Sequence, residues 1–264
     1  MTLLQPKTVA EQLQADIEEF LIAVKYTNVY NAVTYESLVR RATDLQGKGG
    51  QVVEGCLFRA RLYSATGRFT DAEAMFRNAE INQGQVLARI RRCEHLANHG
   101  FASEVLKQSD LLFANRANSN FADIASMVMA AGGFKKIVEM LEKSQRSSEV
   151  LKMTETAKQF AGRGAETLTL LGVSDEQLAS MLDLAGERLR TNKLYWEGSM
   201  PDIRVLSPQN GGPALMFNYR VAVSPQESAR LTWELTEALV TRDLDIPGIH
   251  VGFVGTNAPI RLAA

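Results

Sequence analysis

Apolar residues recur three and four positions apart through the first half of the chain, the spacing that gathers them on one helical face, and glycines interrupt the runs. Leu13, Ile17, Phe20, Leu21 and Val24, then Tyr35, Leu38 and Ala42, predict a helical hairpin from about Thr8 to Leu45. A clearer hairpin follows in Ala60, Tyr63, Gly67, Phe69, Ala72, Phe76 and Ala79. Tyr63 belongs to its first helix, Gly67 makes the turn, and Ala72, Phe76 and Ala79 share a face of its second helix. Ala125, Val128, Gly132, Phe134, Ile137 and Leu141 repeat these roles between Asn118 and Gln145. The unit between them is looser: Cys93 stands for the small residue, Leu96 for the aromatic one, and Phe101 comes one residue early, which predicts a shortened turn. The turn glycines Gly67, Gly100 and Gly132-Gly133 are roughly 33 residues apart, the beat of two-helix repeats.

Further along, Ser174 and Gln177 form a capping-box pattern ahead of Leu178, Met181, Leu182, Ala185 and Leu189, predicting a helix from about Asp175 to Asn192. Ser148 to Leu171 reads as one or two helices broken around Gly162-Arg163-Gly164. Beyond Gly198-Ser199-Met200-Pro201 the period changes from helical to alternating. Ile203–Leu206 is a short strand, Gly211-Gly212-Pro213 a turn, and Ala214–Val223 a strand with Leu215, Phe217, Tyr219, Val221 and Val223 on one face. Ser224-Pro225-Gln226-Glu227 caps a helix through Leu231, Leu235, Ala238 and Leu239, and Ile249–Val254 is the last strand. This β-β-α-β unit is about 65 residues long, with one helix for one sheet face, so it is expected to lean on the helical part or on a second copy of itself.

The Ala60–Ala79 series resembles a tetratricopeptide (TPR) repeat, and the N-terminal part of the chain is similar to a TPR-like solenoid. In that family the first helix of each hairpin lines a groove for a peptide or partner helix. The resemblance therefore implies a groove lined by Glu54, Leu57, Arg61 and Ser64, then Leu87, Ile90, Glu94, Ala97 and Asn98, then Ala122, Ser126, Met129 and Ala130. Members that clamp acidic chaperone tails use lysine and asparagine where this chain has Leu57 and Arg61, so a groove for a helix or mixed peptide fits better.

Composition narrows the chemistry. The 264 residues carry 29 basic and 30 acidic side chains, a net charge of -1, which removes the global basicity that drives non-specific nucleic-acid binding. Local clusters at Arg89, Arg91 and Arg92, and at Lys135-Lys136, leave a nucleic-acid face as the alternative, although solvated helix faces explain them more simply. His95 and His99 can share a face, but Cys93 lies about 200° from His95 around the axis, so no metal site is expected and the histidines read as a partly exposed pair near a turn. Cys56 and Cys93 read as core thiols. No Walker loop, HExxH, CxxC or Ser/His/Asp order is present, and His250 with Asp243 or Asp245 has no nucleophile beside it. No leader pattern or run of about 18 apolar residues occurs, so a cytoplasmic protein without cofactors is expected.

The sequence thus predicts a mainly α protein with a small α+β C-terminal domain: stacked antiparallel hairpins at 1–148, connecting helices at 149–198 and the β-β-α-β unit at 199–264. Its expected role is non-enzymatic: an adaptor or regulator that binds a protein partner, with self-association through the last domain. An enzyme with a site between the domains has the least support.

Overall fold

The computed structural model describes residues 8–27, 29–48, 50–114, 121–143, 155–194, 201–206 and 212–256. The chain is mainly helical with a small mixed sheet near its C-terminus, as its periodicity predicts. The expected transition at 198–200, Gly211 and the ends of the third hairpin lie outside the described residues. Two compact units divide between Arg92 and Cys93. This division differs from the expected 1–148, 149–198 and 199–264: it cuts one helix and groups two hairpins with the sheet.

The first unit contains α1 (Val9–Thr27), α2 (Ala32–Gln46), α3 (Val52–Ala65), α4 (Phe69–Ala79) and the start of α5 (Gln85–Asn98). Leu13, Ile17, Phe20 and Val24 of α1 and Tyr35, Leu38, Ala42 and Leu45 of α2 are buried, as their spacing requires. Asn31 caps α2 through the Thr34 N–H. The α3–α4 turn bonds the Arg68 N–H to the Tyr63 carbonyl around Gly67, whose φ of 76° suits glycine. Where a tandem repeat needs another turn, this chain has none. A π-helical segment, Glu80–Gly84, joins α4 directly to α5. A Cβ on Gly84 would meet a Val53 methyl at 2.6 Å and the Ala79 carbonyl at 2.8 Å, so this glycine serves a close approach rather than a turn.

The second unit continues α5 and adds α6 (Ala102–Ala114), α7 (Phe121–Ala130), α8 (Phe134–Lys143), α9 (Glu155–Leu170), α10 (Asp175–Thr191), β1 (Asp202–Leu206), β2 (Ala214–Val221), α11 (Pro225–Thr241) and β3 (Ile249–Gly255). The α5–α6 and α7–α8 turns repeat the earlier geometry, with Phe101 N–H to Leu96 and Gly133 N–H to Val128. Helix α10 organises these turns. Its capping box at Ser174 and Gln177 forms as expected, and its buried stripe includes Leu178, Met181, Leu182, Ala185 and Leu189.

Polar residues on α10 satisfy the ends of other helices. The Asp175 carboxylate accepts the Lys135 and Lys136 backbone N–H groups at 3.2 and 2.9 Å, capping α8. Asp183 accepts the Ser103 N–H at 3.2 Å near the start of α6, and Arg190 donates to the carbonyls of His99 and Gly100. Burial pushes the Asp175 carboxyl above its usual range despite its two N–H donors.

Helix α9 is continuous, contrary to the expected break. Gly164 instead leaves room for the fully buried Phe134 ring, which an added Cβ would approach to 2.3 Å. In the sheet, β1 runs antiparallel and β3 parallel to the central β2. Leu215, Phe217, Tyr219 and Val221 are buried with Ile249, Val251 and Phe253 on the same face, and Phe217 meets Phe134 with ring centroids 6.3 Å apart. The apolar face is thus buried within this unit, where Phe134 of α8 lies against it and the helix stripe of Leu231, Leu235 and Leu239 is buried as well. Val223 falls in a bend after β2 rather than in the strand. Thr232 of α11 accepts the Phe253 N–H at 3.0 Å, meeting a backbone donor on the outer side of β3.

Candidate functional site

Residues of α1, of the segment 29–31 and of α2 surround a cleft of about 580 Å³, lined in part by Phe20, Val24, Tyr30, Val33 and Leu38. Phe20, Val24 and Leu38 form a buried floor, whereas Val29 is 69%, Val33 79% and Tyr30 43% exposed. Val33 is apolar but off the buried Tyr35–Leu38–Ala42 stripe, and this mismatch is the signal in the sequence that could have marked the site. Aromatic rings tie the exposed rim to the core: Phe20 and Tyr30 meet edge to face with centroids 6.0 Å apart, and Tyr30 and Tyr35 lie 5.4 Å apart. Asp16 and Arg41 line the cleft and pair at 2.7 Å. Glu19 also lines it, is exposed, and has no ion-pair partner among the described residues. Such a lining buries apolar side chains and favours a positive charge near Glu19.

The residues expected to line the repeat groove have different environments. In the first unit Glu54 and Leu87 are exposed and Arg61 is half-buried, but Leu57 and Ile90 are core residues. In the second unit Glu94, Asn98 and Ser126 are half-buried, while Met129 is core. Leu57, Ile90 and Met129 thus present little surface to a ligand in the unbound chain. Their positions satisfy the spacing of a groove and of a core equally, and packing decides between them.

The basic residues offered to nucleic acid make internal contacts. Arg92 pairs with Glu73 at 2.7 Å, and Arg89 with Glu80 at 3.9 Å. Lys135 donates to the Val173 carbonyl, while Lys136 pairs with Asp110 and donates to the Leu106 carbonyl. Arg91 is half-buried and also engaged within the protein. Phosphates would have to compete with these contacts.

His95 and His99 are 4% and 5% exposed, not partly open as expected, and their ring centroids are 5.0 Å apart. Arg190 stacks over Phe101 at 3.8 Å. Burial chiefly, with the charges of His95 and Arg190, holds the His99 imidazole well below its usual range. Folded His99 therefore stays neutral where the unfolded chain takes up a proton. Stability present above the unfolded value near 6.5 is lost as pH falls through and below it. Urea melts at pH values on either side of it check the expectation. His99→Gln should remove this component of the slope; an unchanged slope would refute its assignment to His99.

Among the described residues no group of three or more His, Cys, Asp or Glu side chains is placed to hold a metal ion. Cys56 and Cys93 are buried, and His250 is exposed at the surface of β3. No described helix is long and apolar enough to cross a membrane. No family model, curated protein or solved structure matches the chain.

Proposed function

We propose that this chain is a non-enzymatic interaction module whose α1–α2 cleft binds an amphipathic segment of a protein partner. The observation carrying this reading is the exposed trio Val29, Tyr30 and Val33 above the buried floor of Phe20, Val24 and Leu38. A segment with two or three apolar anchors, and a basic residue directed to Glu19, matches this lining. The tetratricopeptide likeness belongs with this proposal and is supported by the α3–α4 hairpin, whose turn and small-aromatic face follow the expected pattern. The π segment at Glu80–Gly84 departs from a simple tandem array.

Selection from a displayed random-peptide library tests the reading. Enriched sequences should share apolar residues at helical spacing and a nearby Lys or Arg. Val33→Asp combined with Tyr30→Ala should reduce their affinity at least about tenfold, because truncating an interface anchor costs more than about 1 kcal/mol. Val33→Asp alone, at a side chain 79% exposed, should leave the thermal midpoint nearly unchanged, whereas Tyr30→Ala also removes the ring contacts with Phe20 and Tyr35, worth about 1 kcal/mol. No enrichment, or equal binding by the double variant, would reject the cleft.

A further inference from the structure

A second set of polar groups converges in the first unit where α2, α3 and the α3–α4 turn meet. Arg59 donates through Nη1 to Gln46 Oε1 at 2.7 Å and through Nη2 to the Tyr63 hydroxyl at 2.9 Å. Its Nε is buried and has no hydrogen-bond partner. Among the described residues, no carboxylate pairs with this half-buried guanidinium. Arg68 approaches from the turn, with its guanidinium carbon 4.4 Å from the Tyr63 ring centroid; the corresponding Arg59 distance is 5.5 Å. Arg68 also donates through Nη1 to the Tyr35 hydroxyl at 3.4 Å. Asp71 neutralises Arg68 at 2.7 Å, leaving the Arg59 charge uncompensated in this group.

The phenol oxygens of Tyr35 and Tyr63 already accept guanidinium bonds, so each phenol's own proton remains to be donated. Arg59 retains further N–H donors on its terminal nitrogens, and about half of the Arg68 side chain is exposed. A half-buried guanidinium bonded to the Tyr63 phenol, with the Arg68–Tyr35 pair against the same Tyr63 ring, is costly without a negative group and well matched to one. We propose that Arg59, Arg68, Tyr35 and Tyr63 form a binding site for a compact oxyanion, a phosphate or a carboxylate. The site shares Tyr35 with the aromatic cluster beneath the cleft, but its assignment does not depend on peptide binding there.

Calorimetric titration of the full chain with inorganic phosphate and with acetate, at constant ionic strength maintained by chloride, tests the proposal. Saturable binding of either ion supports it, and the preferred ion identifies a phosphate or a carboxylate group as the source. Arg59→Gln should weaken that binding about tenfold or more, as expected for loss of charge-assisted hydrogen bonds. Arg59→Lys should restore only part of it, because a point charge does not replace the guanidinium fork. If the Arg59 variants do not fold, Arg68→Gln and Tyr63→Phe supply the same comparison. No binding beyond the chloride control, or binding unchanged in the folded variants, would overturn the proposal.

Discussion

Gly186→Ala should destabilise the second unit by about 3 kcal/mol, although Ala ordinarily favours a helix over Gly by nearly 1 kcal/mol. A Cβ at this position would lie 2.0 Å from the Gly100 carbonyl oxygen and 2.6 Å from its carbonyl carbon. Those atoms are backbone at a turn with φ 65°, and Arg190 holds the same carbonyl at 3.0 Å. Rotamer change cannot relieve the overlap; α10 or the α5–α6 turn must shift. Gly162→Ala is the matched control. Its added Cβ meets nothing within 4 Å, so the helix gains up to about 1 kcal/mol without a steric cost. Urea melts should move in opposite directions for the two variants; stabilisation by both would contradict the close approach of α10 to Gly100.

Phe134→Ala should cost about 3–5 kcal/mol, the range for removing a large aromatic from a packed core. Phe134 is fully buried, meets Phe160 and Phe217 edge to face at 6.0 and 6.3 Å, and occupies the space left by Gly164. One ring thus joins α8, α9 and β2 within the second unit. Near-UV circular dichroism followed through a denaturant titration should show the lower midpoint and an altered aromatic signal. A loss below about 1 kcal/mol would show that this ring is not the junction described.

The hairpins were legible because their information is local. Gly67, Gly100 and Gly132 have the positive φ that the turn geometry uses, and Ser174 and Ser224 cap the helices that they precede. Distant partners were not legible. Gly84 and Gly164 resemble turn and break signals, yet the space they leave is used by Val53 and Phe134, far away in sequence. Asp175 and Asp183 have the composition of an ordinary helix surface, but their carboxylates accept N–H groups at the starts of α8 and α6. His95 and His99 read as turn-proximal and partly exposed because their burial and the approach of Arg190 are tertiary features.

The candidate cleft was missed for a related reason. Its floor coincides with the predicted faces of α1 and α2, while Val29, Tyr30 and Val33 matter because they remain outside that core. The expected repeat groove counted Leu57, Ile90 and Met129 as binding residues because helical spacing alone cannot separate a groove from a core.

Chemical-shift mapping of a library-selected peptide on isotope-labelled full-length protein tests the binding account most directly. The account predicts saturable perturbations centred on Phe20, Val24, Tyr30, Val33 and Leu38, with their loss when Val33→Asp and Tyr30→Ala are combined. Perturbations centred instead on Glu54, Arg61 and Leu87, or on the outer sheet face at Arg204 and His250, with the α1–α2 cleft unaffected, would contradict it.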